Sequence, residues 1–531
     1  MLPWKTPSLL LVGLSSFTPA AQTTGPIVDL GYARYRGAVN DTTSVTSYLG
    51  IRFAEPPVED LRWRAPQPPK RLPGVQSATI VPPLCPQGFI NISIPGGIPP
   101  PDLTNVSEDC LFLSVFAPRK LPPKRKKLPV IVWIHGGGYI VSSAATFDGT
   151  NLVRESNDGV IVVTIQYRLG IFGFMAGKKL KENGDLNAGL LDQELALKWV
   201  QQHIDKFGGD SKQVTIWGQS AGGGSVLQQV IAHNGQTNPP LFRAAMSSST
   251  YLSSQHHFDD PVPEGIYSTV VSTAGCADAT DPLTCLRASN TSILQAANDK
   301  ACRSGFYGTS VVVPVVDGEF ITQRPSEALR QRRVNGNALL AISNTNEGDI
   351  FVDQSKADTV TAAQFVRDLY PRLKEAQVAE VVRLYSGLGA PIRQADSIMG
   401  DTLFQCPTIW FSRAFRQSFK GEYAVLPAFH GTDISQYFPS FAPRFFDDPA
   451  FTSSFTQSFL NFALSRNSDP NAKFDDGDLT PLWNRYNSPS KFEMVFNRTD
   501  GEELDIHPAS TDAGLLERCA FWESVSELTA Q

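Results

Sequence analysis

The chain has 531 residues, of which 41% are hydrophobic and 18% are charged, as in ordinary globular proteins. Its formal net charge of -6 gives no electrostatic reason to expect nucleic acid or an anionic membrane surface as a partner. The length would accommodate about three or four average domains, but α/β folds of this size often consist of one core with insertions. One basic run, at 119–127, contains two prolines between strand-like segments, and we interpret it as a solvated loop.

The N-terminus has the features of a secretory signal peptide. Lys5 supplies positive charge, residues 8–17 are mostly apolar, and small residues at 19–21 indicate a cleavage site. The apolar run is too short to span a bilayer, and no later segment reaches about 20 apolar residues. We therefore predict a signal peptide at 1–21, a single domain at 22–531, and a secreted protein without a stable membrane anchor.

Sequons and cysteines agree with this secretory route. Seven cysteines allow up to three disulfides with one thiol left over, and a secreted protein favours disulfides over metal binding. No Cys-x-x-Cys pair or histidine cluster indicates zinc, so we predict no metal and no cofactor. The candidates for N-glycosylation are the asparagines of the five Asn-x-Ser/Thr sites: Asn40, Asn91, Asn105, Asn290 and Asn497.

The first half of the chain alternates apolar strands with helical segments. Near-continuous apolar runs predict strands at 111–116, 130–134, 160–165 and 214–217, and runs without alternation are typical of a sheet covered on both faces. The segment 187–207 has the apolar spacing of one helical face. Strand, helix, strand, sharp turn and helix is the order of a mostly parallel α/β sheet with helices on both faces. Further strands are predicted at 338–343 and 423–429.

The sharp turn is Gly218-Gln219-Ser220-Ala221-Gly222, between the strand at 214–217 and a helical segment at 225–230. By chance alone, Gly-x-Ser-x-Gly would occur in roughly one chain in four at this glycine content. The flanking strand and helix distinguish it from a glycine-rich turn without chemistry. A serine on such a strained turn, with glycines two residues away on either side, is typical of an exposed nucleophile.

A second glycine motif, His135-Gly136-Gly137-Gly138, follows the strand at 130–134 directly. Glycines allow the backbone to turn its N–H groups inward and allow a substrate carbonyl to approach closely. We therefore predict an oxyanion hole formed by the N–H groups of Gly137, Gly138 and Ala221.

A reactive serine also needs a base and an orienting acid. His430 and His507 remain after setting aside the histidines of the oxyanion loop, of a helix and of polar surroundings. His430 follows a predicted strand, where catalytic groups collect in a parallel sheet, whereas His507 lies in a polar, acidic tail segment. The spacing favours His430. Glu347 and Asp349 both follow another predicted strand, and the residues themselves leave the choice of acid open.

Together these motifs resemble the type-B carboxylesterase family of the α/β-hydrolase fold, which includes cholinesterases and the large fungal lipases. The similarity runs from about residue 31 to residue 522. The resemblance implies an α/β-hydrolase fold with large insertions, and an enzyme that hydrolyses small-molecule carboxylic esters. The matching motifs beyond the two glycine motifs are Tyr48-Leu49-Gly50-Ile51, Ala54-Glu55-Pro56-Pro57, Ser107-Glu108-Asp109-Cys110-Leu111, Asn187-Ala188-Gly189-Leu190-Leu191-Asp192-Gln193 and Phe207-Gly208-Gly209-Asp210.

The resemblance assigns roles that the residues left open. It implies that Glu347, in an Asn-x-x-Glu-Gly setting, is the acid, and that His430 is the base for Ser220. Ser248 resembles a second buried serine that supports the triad, and Asp433 lies where the family often has an acidic residue near the histidine. The resemblance also implies the disulfides Cys85–Cys110, Cys276–Cys285 and Cys406–Cys519, with Cys302 as the free thiol.

Positions at which the chain departs from the family restrict the class of ester that it is expected to hydrolyse. Gln219 stands where cholinesterases usually have glutamate, and the segment 86–109 contains no tryptophan, so a quaternary ammonium substrate is disfavoured. That segment is short and carries the sequons at Asn91 and Asn105, which favours a water-soluble or moderately long acyl ester over triglyceride. Two alternatives stay open. One is a triacylglycerol lipase or sterol esterase with a long acyl tunnel, and the other is a non-catalytic, cholinesterase-like binding protein. The sequence carries no signal for the oligomeric state.

Overall fold

The computed structural model describes residues 23–89, 92, 104–123, 126–486 and 491–531. The predicted signal peptide at 1–21 and the sequon at Asn91 lie outside these residues. No helix in the described ranges is long and apolar enough to cross a membrane.

Thirteen strands of the described residues form a single sheet. The strands are β1 (Thr23–Asp29), β2 (Arg34–Asn40), β3 (Val45–Arg52), β4 (Val75–Ser77), β5 (Phe112–Pro118), β6 (Leu128–Ile134), β7 (Ile161–Ile165), β8 (Gly209–Gln219), β9 (Ala244–Ser248), β10 (Ala338–Asn344), β11 (Ser418–Tyr423), β12 (Phe492–Arg498) and β13 (Leu504–Ser510). They lie in the order β1-β2-β3-β5-β7-β6-β8-β9-β10-β11-β12-β13, and β4 pairs with β2. From β7 to β12 the neighbours are parallel, whereas β1–β2, β2–β3, β3–β5, β5–β7 and β12–β13 are antiparallel. The predicted mostly parallel sheet is confirmed.

Strand β6 shows why its sequence is apolar without alternation. Val130, Val132 and Ile134 pack into the core cluster on one face of the sheet, and Ile131 and Trp133 pack into the cluster on the other face. All five side chains are fully buried. Because side chains of a strand point alternately to opposite faces, a strand covered on both faces must be apolar at every position.

The helices cover both faces of the sheet, as predicted. They are α1 (Thr150–Glu155), α2 (Gly170–Phe174), α3 (Lys178–Asn183), α4 (Ala188–His203), α5 (Ala221–Gly235), α6 (Pro261–Thr273), α7 (Pro282–Ala288), α8 (Thr291–Cys302), α9 (Pro325–Arg330), α10 (Ala362–Leu369), α11 (Glu375–Tyr385), α12 (Pro391–Gly400), α13 (Cys406–Ala414), α14 (Ile434–Tyr437), α15 (Pro449–Leu464), α16 (Ala513–Ser524) and α17 (Ser526–Thr529). A π-helical turn, Asp401–Gln405, joins α12 to α13. Short 3-10 turns lie at Glu59–Leu61, Ala144–Thr146, Ile204–Phe207, Asp349–Phe351 and Gln354–Lys356.

The predicted strand at 423–429 is wrong. Strand β11 ends at Tyr423, and the following residues form an irregular loop that leads to His430. Val425 and Ala428 are buried in this loop without strand pairing, while Leu426 is 64% exposed. Pro427 has no N–H to donate to a sheet, which excludes it from a central strand. The true strand escaped detection because its sequence contains a lysine, Lys420, which is buried and paired with Glu493.

The three implied disulfides are present in the structure: Cys85–Cys110, Cys276–Cys285 and Cys406–Cys519. Cys302 is free and buried at the end of α8. Burial raises the pKa of its thiol to about 12, so the reactive thiolate is scarce near neutral pH. Among the described residues, no group of three or more histidine, cysteine, aspartate or glutamate side chains could hold a metal ion.

Candidate active site

Ser220 lies on the turn that connects β8 to α5. Its backbone angles, φ 58° and ψ −127°, are rare for a residue with a side chain, and such strained positions cluster at functional sites. Two glycines make the turn possible. A Cβ on Gly218 would lie 2.4 Å from a backbone atom of Gly222, and a Cβ on Gly222 would lie 2.0 Å from the carbonyl oxygen of Ile134. The turn therefore requires glycine at both positions, as the sequence motif predicts.

The glycine loop after β6 packs directly against this turn. A Cβ on Gly136 would lie 2.5 Å from the carbonyl oxygen of Gln219 and 2.9 Å from the Cβ of Ser220. Gly137 and Gly138 both have positive φ, 99° and 62°, which favours glycine at each position. Ala221 is the first residue of α5, and its N–H has no acceptor within the helix. The structure thus brings the three predicted oxyanion donors to the same end of the sheet as Ser220.

His135, the first residue of this loop, is held in place by Tyr167. Its ring stacks on Tyr167 with a centroid distance of 4.5 Å, and the Tyr167 hydroxyl donates to the His135 carbonyl oxygen at 2.8 Å. Full burial lowers the pKa of His135 to about 4, so the ring is neutral at neutral pH. His135 therefore has a structural role in the glycine loop at 135–138.

His430 and Glu347 form a close pair at the same edge of the sheet. The His430 Nδ1 atom lies 2.5 Å from Glu347 Oε2, and the two side chains are 8% and 0% exposed. An ionised carboxylate can only accept a hydrogen bond, so Nδ1 carries the proton. In the neutral ring, Nε2 is then left as the acceptor, which is the tautomer that a general base requires.

The loops that carry these two residues are joined by backbone contacts. The Asn346 N–H donates to the Ala428 carbonyl oxygen at 2.9 Å, and Asn346 Nδ2 donates to the Pro427 carbonyl oxygen at 2.8 Å. These bonds lie one residue from Glu347 and two or three residues from His430, and the two triad candidates are 83 residues apart in sequence. The irregular loop after β11 thereby sets the position of His430.

Glu347 is buried, and its carboxylate accepts three hydrogen bonds. Two of them reach Oε1: the Asn344 N–H donates at 2.7 Å, and the Ser249 hydroxyl donates at 2.6 Å. The third is the bond between Oε2 and His430. With both oxygens engaged, the carboxylate has little freedom to rotate away from the imidazole.

The hydroxyl that bonds Glu347 belongs to Ser249 and not to Ser248, the serine predicted to support the triad. The Ser248 hydroxyl accepts a hydrogen bond from Trp217 Nε1 at 3.2 Å and does not contact Glu347. Ser248 is the last residue of β9, and Ser249 follows with a φ of 52°, a conformation that aims its side chain at the acid. Sequence similarity places the serine pair correctly, but the backbone turn decides which hydroxyl reaches the carboxylate.

Asp433 is linked to the triad candidates through Asn344. Its carboxylate accepts from the Tyr437 hydroxyl at 2.6 Å and from Asn344 Nδ2 at 3.0 Å. The same Nδ2 atom lies 3.1 Å from the Ser249 hydroxyl oxygen, to which it donates. Burial raises the pKa of Asp433. Its predicted proximity to the histidine loop is observed, but its hydrogen bonds reach the triad indirectly.

The alternative acid and base are engaged elsewhere. Asp349 pairs with Arg393 at 2.5 Å, and His507 lies on the edge strand β13, where it pairs with Asp505 at 2.7 Å. The side chain of His507 is 48% exposed. Neither residue therefore belongs to the cluster at Ser220.

The sequence model of the carboxylesterase family matches residues 24–522. The chain belongs to the carboxylesterase family. Among its relatives, the secreted triacylglycerol lipase LIP1 of Gibberella zeae is 31% identical over 457 residues, covering 75% of this chain and 76% of the relative. Carboxylesterase 1E of Mus musculus is 31% identical over 545 residues, covering 92% and 93% of the two chains.

Solved structures agree with this assignment. The crystal structure of Aspergillus niger EstA matches with a TM-score of 0.82 and 30% identity, covering 96% of this chain and 99% of that one. The structure of PNB esterase matches with a TM-score of 0.78 and 25% identity, covering 94% of this chain and 100% of that one. The protein is thus a carboxylic ester hydrolase with the α/β-hydrolase fold.

Two aromatic side chains of this carboxylesterase flank His430 and were missed by the sequence analysis. The Phe404 ring centroid lies 4.3 Å from that of the imidazole, and the Phe351 centroid lies 5.0 Å from it. Phe404 belongs to the π-helical turn, and Phe351 to the 3-10 turn that follows Glu347. No local sequence signal marks them, because they reach the histidine only through the folding of distant segments.

Proposed function

We propose that this carboxylesterase hydrolyses esters through an acyl-enzyme intermediate on Ser220, with His430 as the base and Glu347 as the orienting acid. The observation that carries the proposal is the 2.5 Å contact between His430 Nδ1 and Glu347 Oε2, at the edge of the sheet where the strained Ser220 turn lies. The contact fixes the tautomer in which Nε2 can accept a proton.

The reaction follows from this arrangement. His430 Nε2 takes the proton of the Ser220 hydroxyl as its oxygen attacks the ester carbonyl, and Glu347 stabilises the imidazolium that forms. The tetrahedral intermediate collapses when the imidazolium returns this proton to the leaving alcohol. Water then attacks the acyl-enzyme with the same base, and the acid product leaves Ser220 with its proton restored.

The N–H groups of Gly137, Gly138 and Ala221 stabilise the oxyanion in both steps. Each donor in such a site typically contributes about 3–4 kcal/mol to transition-state stabilisation. Support comes from the contact of the Gly136 backbone with the Ser220 turn, which leaves no room for a side chain between the two loops. The donors are therefore preorganised before substrate arrives.

The substrate we propose is a soluble ester with a short or medium acyl chain. The uncharged Gln219 provides no carboxylate for a quaternary ammonium group, and Asn105, a sequon in the first disulfide loop, is exposed. Sugar on that loop would disfavour burial in lipid. Triacylglycerol hydrolysis is the second candidate, because the relative from Gibberella zeae is named a triacylglycerol lipase.

We also propose that the protein is secreted and N-glycosylated. Relatives from Gibberella zeae and Botryotinia fuckeliana are named secreted lipases. Asn40, Asn105 and Asn290 are exposed and accessible to glycosylation, and Asn497 is half-buried on β12. Mass spectrometry of the protein from a eukaryotic secretory host, before and after removal of N-glycans, tests both points.

Hydrolysis of p-nitrophenyl esters from acetate to palmitate, by the wild type and Ser220→Ala in parallel, tests the function. We expect activity that peaks at short to medium chains and falls by about 10³-fold or more in the variant. A peak at long chains that rises above the solubility limit of the substrate would make the protein a lipase. A wild type inactive on every chain length would refute the proposal and support the binding-protein alternative.

A further inference from the structure

Gln219, the residue before the nucleophile, lies between the two loops that complete the site. Its side chain is buried, with 4% exposure of the residue. A Cβ on Gly136 of the oxyanion loop would lie 3.1 Å from Gln219 Oε1, and a Cβ on Gly431 of the histidine loop would lie 3.5 Å from Gln219 Nε2. The carboxamide of Gln219 thus lies close to the backbone of both loops.

The Gln219 carboxamide contacts the catalytic edge of the imidazole. Its Nε2 atom lies 3.3 Å from His430 Nε2. Because His430 Nδ1 holds its proton against Glu347, Nε2 of the neutral ring carries a lone pair and accepts. The amide N–H of Gln219 is therefore the donor. A ring nitrogen offers one lone pair, so Gln219 and the Ser220 hydroxyl compete for the same acceptor.

We propose that Gln219 is a positioning residue for the base: it holds the Nε2 edge of His430 in the resting enzyme and releases it to Ser220 when substrate binds. The inference rests on the proposed function of the triad. A donor to Nε2 favours the neutral ring, which is the form that can take a proton. Gln219 thereby extends activity to lower pH than a carboxylate at the same position would allow.

The other groups around the imidazole do not mask the effect of residue 219 on the protonation of His430. Glu347 faces Nδ1, and the other acidic residue near the ring, Asp433, is linked to the site through Asn344. The π-helical turn and the 3-10 turn face the ring with the uncharged side chains of Phe404 and Phe351. A new carboxylate at position 219 would add a negative charge in contact with Nε2 and would favour the protonated ring, which is inactive as a base.

The test is the pH profile of kcat/KM on a short p-nitrophenyl ester for the wild type, Gln219→Glu and Gln219→Met. An opposite charge at this distance shifts a titration by about 1 pH unit or more, so in Gln219→Glu we expect the acidic limb to move up and kcat/KM near pH 5 to fall about tenfold. Near pH 8.5 we expect it within about threefold of the wild type. Gln219→Met, which lacks the donor, is expected to move the limb upward by about half a unit.

The control is Gln364→Glu, which makes the same chemical change on the exposed face of α10, where Gln364 bonds Asp368. Its profile is expected to coincide with that of the wild type. A Gln219→Glu enzyme with the wild-type unfolding midpoint and an unmoved acidic limb would overturn the inference. If Gln219→Glu does not fold, an unmoved limb in Gln219→Met has the same consequence.

Titration of the His430 ring Cε1–H signal by NMR separates this inference from the proposed function. The signal is assigned by its loss in His430→Asn, and it is followed in the wild type and in Gln219→Glu. An inactive wild type would refute the proposed function, and the midpoint difference between the two proteins would still decide the role of Gln219. We expect the midpoint to be higher in Gln219→Glu, and equal midpoints would refute the hydrogen bond.

Discussion

Replacing Ser249 by alanine removes one of the bonds that orient Glu347, the proposed catalytic acid. The lost bond is the one that the hydroxyl donates to Glu347 Oε1 at 2.6 Å. A hydrogen bond to a charged group contributes about 1.5–3 kcal/mol, and burial of this carboxylate leaves no water to replace it. If the whole loss is felt when the imidazolium forms, kcat/KM falls by about 10- to 150-fold.

The assay compares kcat and KM for Ser249→Ala and Ser248→Ala on the same soluble ester. We expect the loss in Ser249→Ala to lie in kcat, because substrate does not touch this hydroxyl. Ser248→Ala is the matched control, since the Ser248 hydroxyl accepts a 3.2 Å bond from Trp217, whereas the bond to Glu347 Oε1 comes from Ser249. It is expected to lose about 1 kcal/mol of stability and to keep kcat within about threefold.

Two results would refute this reasoning. The first is a Ser249→Ala enzyme whose kcat stays within about twofold of the wild type, which would mean that the remaining bonds from Asn344 and His430 are enough to orient the acid. The second is an equal loss in Ser248→Ala, which would mean that the serine pair acts through packing. Thermal unfolding of both variants distinguishes loss of catalysis from loss of folded protein.

Three further predictions concern the turn, the oxyanion loop and the disulfides. Gly222→Ala places a Cβ 2.0 Å from the Ile134 carbonyl oxygen, so we expect loss of at least about 10³-fold in activity or of soluble protein; an active Gly222→Ala would contradict the geometry. The pKa of His135, lowered to about 4, lies below its value in the unfolded chain, about 6.5, so the unfolded state binds more protons between these values. The free energy of unfolding should therefore fall as pH drops through this window, by up to about 3 kcal/mol, and urea unfolding of wild type and His135→Asn should show a weaker pH dependence in the variant. The Cys406–Cys519 bridge closes a loop with a separation of 113 residues and the Cys276–Cys285 bridge one of 9, so loop entropy predicts losses of about 5 and about 2.6 kcal/mol on replacing each pair with serine. Equal losses in denaturant unfolding would speak against the entropic account.

Contacts between two loops explain why triad candidates that are far apart in sequence lie close together in the structure. The acid loop follows β10, the histidine loop follows β11, and these strands are parallel neighbours. Parallel strands bring their carboxyl ends to one edge, so loops distant in sequence meet there. The bonds of Asn346 to Pro427 and Ala428 then set the distance between Glu347 and His430.

The sequence by itself determined the features that depend on local requirements of the backbone. The strained turn at Ser220 needs glycine at 218 and 222, and the strands of a sheet covered on both faces need apolar residues at every position, so both are legible without a structure. Strand β11 lacks such a continuous apolar run and was therefore missed. Its buried Lys420 is tolerated because Glu493, on the neighbouring strand β12, pairs with it. A pattern of single residues does not contain that partner.

Tertiary structure decided which side chains act together. Glu347 and Asp349 are equivalent in sequence spacing, but the fold pairs Glu347 with His430 and Asp349 with Arg393. Ser248 and Ser249 are neighbours, yet only the hydroxyl of Ser249 reaches the acid, which lies 98 residues away in sequence. Such choices depend on the direction of a side chain and on contacts between distant segments, and both are fixed only when the chain has packed.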